Sequence, residues 1–95
     1  MYLLDEGIEK TSALVIDANA TSRGVLCAHL RGFGVGTVRQ TSNLQDARNI
    51  LEHQAFDIIL CEHHFERSTM SGPDLLADLR RAELLPYYTV FVMVT

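Results

Sequence analysis

The sequence predicts an open parallel α/β sheet with helices on both faces. Two apolar runs, Ala13 to Ile16 and Phe56 to Cys61, each close on an acid, Asp17 and Glu62. A third apolar run fills Thr89 to Thr95, and the segments between the runs carry apolar residues at helical spacing with short connections. Continuous apolar strands of this kind suit a parallel sheet covered on both sides, and strands alternating with helices join through right-handed crossovers.

The elements follow in order. Met1 to Ser12 is mixed and polar and reads as an N-terminal arm, leaving 13–95 as one domain. Ala13 to Asp17 is the first strand. Ala20 to Arg31 spaces Val25, Leu26, Ala28 and Leu30, with Phe33 beyond, for a helix of about three turns, and Gly32 and Gly34 stop it. Gly36 to Ser42 is short and β-branched, a less buried strand. Asn43 offers an N-cap, Asp46 follows three residues on, and Leu44, Ala47, Ile50 and Leu51 make an apolar stripe. Ala55 to Glu62 is the next core strand, and His63 to Ser71 a polar loop. Pro73 suits the first position of a helix whose core residues are Leu75, Leu76, Leu79 and Ala82, with Arg80 and Arg81 favourable at its C-terminus. Pro86 interrupts before the fourth strand.

Composition narrows the function classes. With 47% hydrophobic and 21% charged residues in 95, the chain reads as a single globular domain. The net charge of −4 and the scattered Lys and Arg disfavour direct nucleic-acid binding, which needs clustered cations. No apolar run is long enough to cross a bilayer, and no signal-peptide pattern opens the chain. Cys27 and Cys61 lack CxxC spacing and sit in apolar segments, so the reading is buried reduced thiols in a cytoplasmic protein.

In open α/β sheets chemistry gathers at the carboxyl ends of the central strands. Asp17, Glu62 and Thr95 each end an apolar strand. At these residues the chain resembles the receiver domain of bacterial response regulators, from Ala13 onward. Leu14-Val15-Ile16-Asp17-Ala18-Asn19 resembles the family's first strand and acidic pair, and Phe56 to Glu62 its third strand ending at the phosphorylated aspartate. Gly72-Pro73-Asp74-Leu75-Leu76 is similar to the Gly-x-x-Leu-Leu opening of its third helix, and Val90 to Thr95 to its fourth strand with a terminal switch hydroxyl. The resemblance implies a flavodoxin-like receiver fold of strand order 2-1-3-4, with the fifth strand and last helix missing. It also implies a role among the protein partners of two-component phosphorelay signalling.

The departures shape the expected function. Asp17 fits the first acid of the pair, but Ala18 stands where the second, a magnesium ligand, would be, and Glu62 stands at the phosphoacceptor position. The loop after Glu62 is longer than the family's usual one, and its usual proline is Glu66. Magnesium demands near-ideal octahedral oxygen ligation and neutralises charge in phosphoryl transfer, so Asp17 and Glu62 alone imply weak Mg2+ binding at best and no other cofactor. The added methylene of Glu62 shifts the nucleophilic oxygen by about 1.5 Å, enough to lose in-line attack. Its fixed charge partly mimics an aspartyl phosphate. The reading is a phosphorylation-independent interaction module, not an enzyme. The alternatives are an active phosphoacceptor using Glu62 and a purely structural dimerisation domain. The Val90 to Val94 run has no Lys or Pro to discourage pairing at a sheet edge and predicts a homo-oligomer.

Simpler readings compete residue by residue. Asp17 and Glu62 would serve as strand-end acids facing solvent, and Thr95 as a chance hydroxyl. His63, His64 and Glu66 invite a transition-metal site, but adjacent histidines in extended chain point in opposite directions. Cys61 beside a carboxylate in a central strand is structural rather than redox-active. A hydrolase built on Ser71, His64 and Asp17 lacks a nucleophile elbow.

Overall fold

The computed structural model describes residues 7–94. Four parallel strands, β1 (Ser12–Ile16), β2 (Thr37–Thr41), β3 (Ile58–Glu62) and β4 (Val90–Val94), form one sheet of order β2-β1-β3-β4. Three helices connect them: α1 (Ala20–Gly32), α2 (Leu44–His53) and α3 (Gly72–Arg81). Expected and observed order agree; β2 and β3 are trimmed at their ends, β1 runs one residue earlier, and Ala82, expected in the core stripe of the last helix, is exposed at its end. Within the segment read as an arm, Ile8–Lys10 makes a 3-10 turn closed by Thr11, and Ser12 already belongs to β1; Met1 to Glu6 lie outside the described residues.

Strand alternation sorts the core into two sides. Leu14 and Ile16 of β1, Ile59 and Cys61 of β3, and Phe91 and Met93 of β4 face one way. They pack with Leu44, Ala47 and Leu51 of α2 and Leu75 and Leu79 of α3. The opposite side carries Ala13 and Val15, wholly buried, with α1 lying against β1 and β2. Beyond them Ile58 and Leu60 of β3 are half-buried, and Val90 and Val92 of β4 are 56% and 39% exposed.

The face α1 presents to the sheet differs from the one expected. Cys27 is its buried residue, flanked by half-buried Arg23, Leu26 and Leu30, whereas Val25, Ala28 and Phe33 point to solvent. Positions 23, 26, 27 and 30 make an i, i+3, i+4, i+7 stripe, and the small side chains of Ala13 and Val15 beneath it take the compact Cys27 best.

Helix ends obey local chemistry. Asn19, Asn43 and Ser71 cap α1, α2 and α3, each side chain accepting from the backbone N–H three residues on, and Ser71 with Asp74 completes a reciprocal capping box. Pro73 therefore stands at the second helical position, one later than expected. α1 ends with Gly34 N–H donating to Arg31 C=O and Val35 N–H to Leu30 C=O. This is a Schellman turn that needs φ 95° at Gly34. The same pair of bonds ends α3 at Glu83 and Leu84, with Glu83 held at φ 56°.

The amino ends of the strands are laced together by polar side chains. Asp57 Oδ2 accepts from Ser12 N–H at 2.9 Å and from its hydroxyl at 3.2 Å, and Thr89 Oγ1 donates to Phe56 C=O at 2.5 Å. These bonds fix β1, β3 and β4 in register, so that Ile16 pairs with Cys61, and Glu62 with Val94, at the carboxyl ends.

Candidate functional site

β1 and β3 deliver Asp17 and Glu62 side by side at the carboxyl edge of the sheet. Asp17 follows β1 and is 6% exposed; Glu62 is the last residue of β3 and half-buried. Their proximity needs no local sequence signal, because it follows from parallel register between neighbouring strands.

The turn from β1 into α1 is held by side chains at successive positions. Asp17 C=O accepts from Arg23 Nη1 at 2.9 Å, and Arg23 Nε reaches Gln40 Oε1 at 2.8 Å, tying the turn to β2. Ala18 N–H donates to Glu62 Oε2 at 3.1 Å. Asn19 N–H donates to Asp17 Oδ1 at 2.8 Å, and Asn19 Oδ1 accepts from Ser22 N–H at 2.9 Å. A carboxylate from each of two strands thus bonds a backbone N–H of the same turn.

The electrostatics follow from this crowding. Burial, the largest cause, raises the Glu62 carboxyl above its ordinary value of 4.5, and the hydrogen bond and negative charge of Asp17 push the same way. The Ala18 N–H and the neighbouring His64 oppose the rise. The Cys61 thiol is pushed up to about 12 by burial first and then by Glu62 and Asp17, so it stays protonated and poorly nucleophilic. It donates weakly to Glu62 C=O at 3.3 Å. Cys27 and Cys61 are both free and buried, as expected.

A cleft of about 920 Å³ opens over the site, between Asn19, Asn43, Glu62, His64 and Arg67 among others. The loop roofing it was expected to be polar throughout, yet Phe65 is 5% exposed and joins the core on the α2 and α3 side. Burying a Phe anchors a loop by about 2 kcal/mol or more. The loop returns to β3 through Gly72, whose N–H donates to His63 C=O at 2.9 Å. A side chain at Gly72 would collide with Glu62 C=O and press on Met93 Sδ, so only glycine lets α3 start this close to β3.

The expected residues are brought together in part. Asp17 and Glu62 meet, and His64 lies near Glu62 on the cleft wall. Thr95 lies outside the described residues, and Val94, the residue before it, pairs with Glu62. Sequence reading missed Asn19, Arg23 and Phe65 as parts of the site. Asn19 carries a readable signal, an N-cap residue three before Ser22 at the start of a helix. Arg23 and Phe65 act across the fold and carry none.

The donor set does not fit a magnesium ion. Two carboxylates face the site, each with one oxygen bonded to a backbone N–H, and Ala18 supplies no side-chain oxygen. Among the described residues no group of three or more His, Cys, Asp and Glu is arranged to hold a metal. A hard divalent ion would have to displace those N–H bonds and still find its other ligands in water. Among the described residues, too, no helix is long and apolar enough to cross a membrane.

No family model and no curated protein matches the sequence. Solved structures do match. A response regulator receiver protein from Pseudomonas putida superposes with TM-score 0.71 at 25% identity, over 88% of this chain and 66% of that one. The chemotaxis response regulator CheY4 of Vibrio cholerae gives TM-score 0.76 at 18% identity, over 87% and 66%. The receiver domain of the histidine kinase CKI1 from Arabidopsis thaliana, complexed with Mg2+ and BeF3-, gives 0.74 at 25% identity, over 94% and 68%. The chain spans 66% of the Pseudomonas and Vibrio structures. With its open parallel sheet of order β2-β1-β3-β4 and three helices, the chain has the fold of the receiver domains found in two-component response regulators and histidine kinases.

Proposed function

We propose that this chain is a receiver-like interaction module of two-component signalling that works without being phosphorylated, in the cytoplasm of a bacterium, through protein partners. The observation that carries the reading is the hydrogen bond from Ala18 N–H to Glu62 Oε2. At the position where the resemblance expects an aspartate poised for attack, a longer carboxylate is turned onto the backbone. Where the resemblance expects a second acid, Ala18 offers only its N–H. The chemistry of phosphoryl transfer needs an in-line nucleophile and a divalent ion, and this arrangement favours neither. No catalytic residue is assigned, and Asp17 and Glu62 are at most a weak Mg2+ site.

The test is treatment with acetyl phosphate and Mg2+ followed by mass spectrometry, and in parallel with Mg2+ and BeF3-, the pair bound in the CKI1 structure. The expected result is an unmodified chain and no BeF3- adduct. A stoichiometric, hydroxylamine-labile phosphoryl group on Glu62 would establish the competing reading, an active phosphoacceptor.

A structural dimerisation role is a second reading, favoured by a specific observation. Among the described residues β4 lies at an edge of the sheet next to β3, contains no charge, and leaves Val90 and Val92 exposed on its α1 side. An uncharged edge with an apolar flank is a template for a second copy, paired about a two-fold axis. Light scattering at micromolar concentration should report a dimer or larger, and Val92→Lys should shift it toward monomer. A folded monomer in the unmodified protein would remove this reading.

A further inference from the structure

We infer that Glu62 is an internal clamp: its side chain takes the place of a divalent ion in binding the β1–α1 turn to the end of β3, so the site holds one conformation without metal or phosphate. The inference rests on the reading of Glu62 as a residue that is not phosphorylated, and it says how the site is kept in a single state.

The geometry supplies the argument. β1 and β3 pair through Ile16 and Cys61, so beyond that pair nothing in the sheet ladder joins the β1–α1 turn to β3. Asp17 N–H donates to Thr41 C=O of β2, and the turn's next polar groups are met by side chains. Arg23 holds Asp17 C=O from α1, and Asp17 holds Asn19 N–H within the turn. Both are local, 6 and 2 residues apart in sequence. The Ala18–Glu62 bond, spanning 44 residues at 3.1 Å, crosses from one strand end to the other. The aspartate expected at this position is one methylene shorter, about 1.5 Å, so in the same backbone setting it would leave Ala18 N–H beyond hydrogen-bond range. The length of the side chain is therefore what makes the clamp. It also bears on why the donor set fits no magnesium ion, since one oxygen of each carboxylate is committed to a backbone N–H.

Amide hydrogen exchange of the full chain, read residue by residue by NMR, tests this. Ala18 is exposed and precedes α1, so the clamp is the protection its N–H has. Glu62→Gln keeps both the length and an acceptor oxygen; Glu62→Asp keeps the charge and loses the length; Glu62→Ala loses both. The Ala18 amide should stay protected in the unmodified protein and in Glu62→Gln, and should exchange about tenfold faster in Glu62→Asp and Glu62→Ala, the equivalent of one net hydrogen bond. Amides of Leu14 and Ile59 in the core report whether each variant is folded. Equal Ala18 exchange in the unmodified protein and in a folded Glu62→Ala variant would overturn the clamp, as would Glu62→Asp retaining full protection. Acetyl phosphate applied to the same samples separates the two proposals. A phosphoryl adduct on Glu62 with Ala18 protected before treatment defeats the signalling reading while the clamp of the unmodified state stands. Rapid Ala18 exchange without an adduct defeats the clamp alone.

Discussion

Replacing Glu62 by Gln should make the protein more stable at neutral pH, and the sign follows from the direction in which this carboxyl is shifted. Its folded-state pKa lies above the ordinary 4.5, through burial and through Asp17. The folded protein therefore holds the proton more tightly than the unfolded chain does. Stability is fully present below 4.5, falls as pH rises from 4.5 through the folded value, and is level above it. A glutamine does not titrate. Its oxygen can still accept from Ala18 N–H, and its amide group can donate to the Asp17 carboxylate in place of a charge that repels it. One such bond contributes about 1 kcal/mol net, a figure set below that for a fully buried charged acceptor because Glu62 is partly exposed and solvent screens the gain. For a domain of this size that is a rise in Tm of about 4–8 °C. Thermal unfolding followed by circular dichroism at pH 4, 5.5 and 7 should show the variant gaining on the unmodified protein as pH increases. A variant less stable at pH 7, or a difference that does not change with pH, would refute the coupling of Glu62 to Asp17.

Other perturbations probe the rest of the structure. Glu83→Gly relieves a left-handed residue at the end of α3, φ 56°, and should stabilise by about 0.5–1 kcal/mol after the entropy cost of glycine, seen as a higher urea midpoint at unchanged slope; a lower midpoint would mean that the Glu83 side chain itself stabilises the turn. Phe65→Ala should cost about 3 kcal/mol in the same assay because a buried ring is lost from the core. A loss under about 1 kcal/mol would show that the loop closes over the site without its anchor. Ala18→Asp combined with Glu62→Asp should strengthen Mg2+ binding in a calorimetric titration, by supplying the missing carboxylate and releasing the one held by the backbone. No gain in that double variant, or tight binding in the unmodified protein, would contradict the correspondence of these positions with the receiver pocket.

What was legible in the sequence follows from the range of the interactions involved. The cap at Asn43 and the core stripe of α2 depend on neighbours within a few residues and appear where the pattern puts them, as do Leu75 and Leu79 of α3, while Ala82 falls at the helix end and is exposed; the strand order, a long-range property, agrees with what the resemblance implied. The face of α1 does not follow its pattern. Val25, Leu26, Ala28, Leu30 and Phe33 wrap well beyond half of the helix, and such a spread cannot choose a side; the small residues Ala13 and Val15 chose it, around Cys27. The pairing of Asp17 with Glu62 was legible because parallel register aligns strand ends. The role of Arg23 was not, since its partners are a backbone carbonyl and a glutamine on another strand. Phe65 was hidden by its company, a lone aromatic among His63, His64, Glu66 and Arg67, although all of those are polar and it alone had reason to turn inward.

The two departures from the receiver pattern are better understood as one change than as two losses. With Asp at position 62, Ala18 N–H would have no side chain of β3 within reach, and the turn would rely on solvent. With Asp at position 18 and Glu62 retained, three carboxylates would crowd the end of two adjacent strands, and the rise that burial and Asp17 already impose on Glu62 would grow. Alanine at 18 and glutamate at 62 avoid both difficulties: the shorter residue gives up a cation ligand, and the longer one uses the amide that this leaves facing the cleft. The single substitutions Ala18→Asp and Glu62→Asp should each destabilise the metal-free protein, and the double variant, which can lose the Ala18–Glu62 bond only once, by less than the sum of the two. In a double-mutant cycle the coupling should be favourable and, for residues in direct contact, at least about 0.5 kcal/mol. Strict additivity would mean that an acid at position 18 leaves the bond from its N–H to Glu62 undisturbed, and that the two positions act independently.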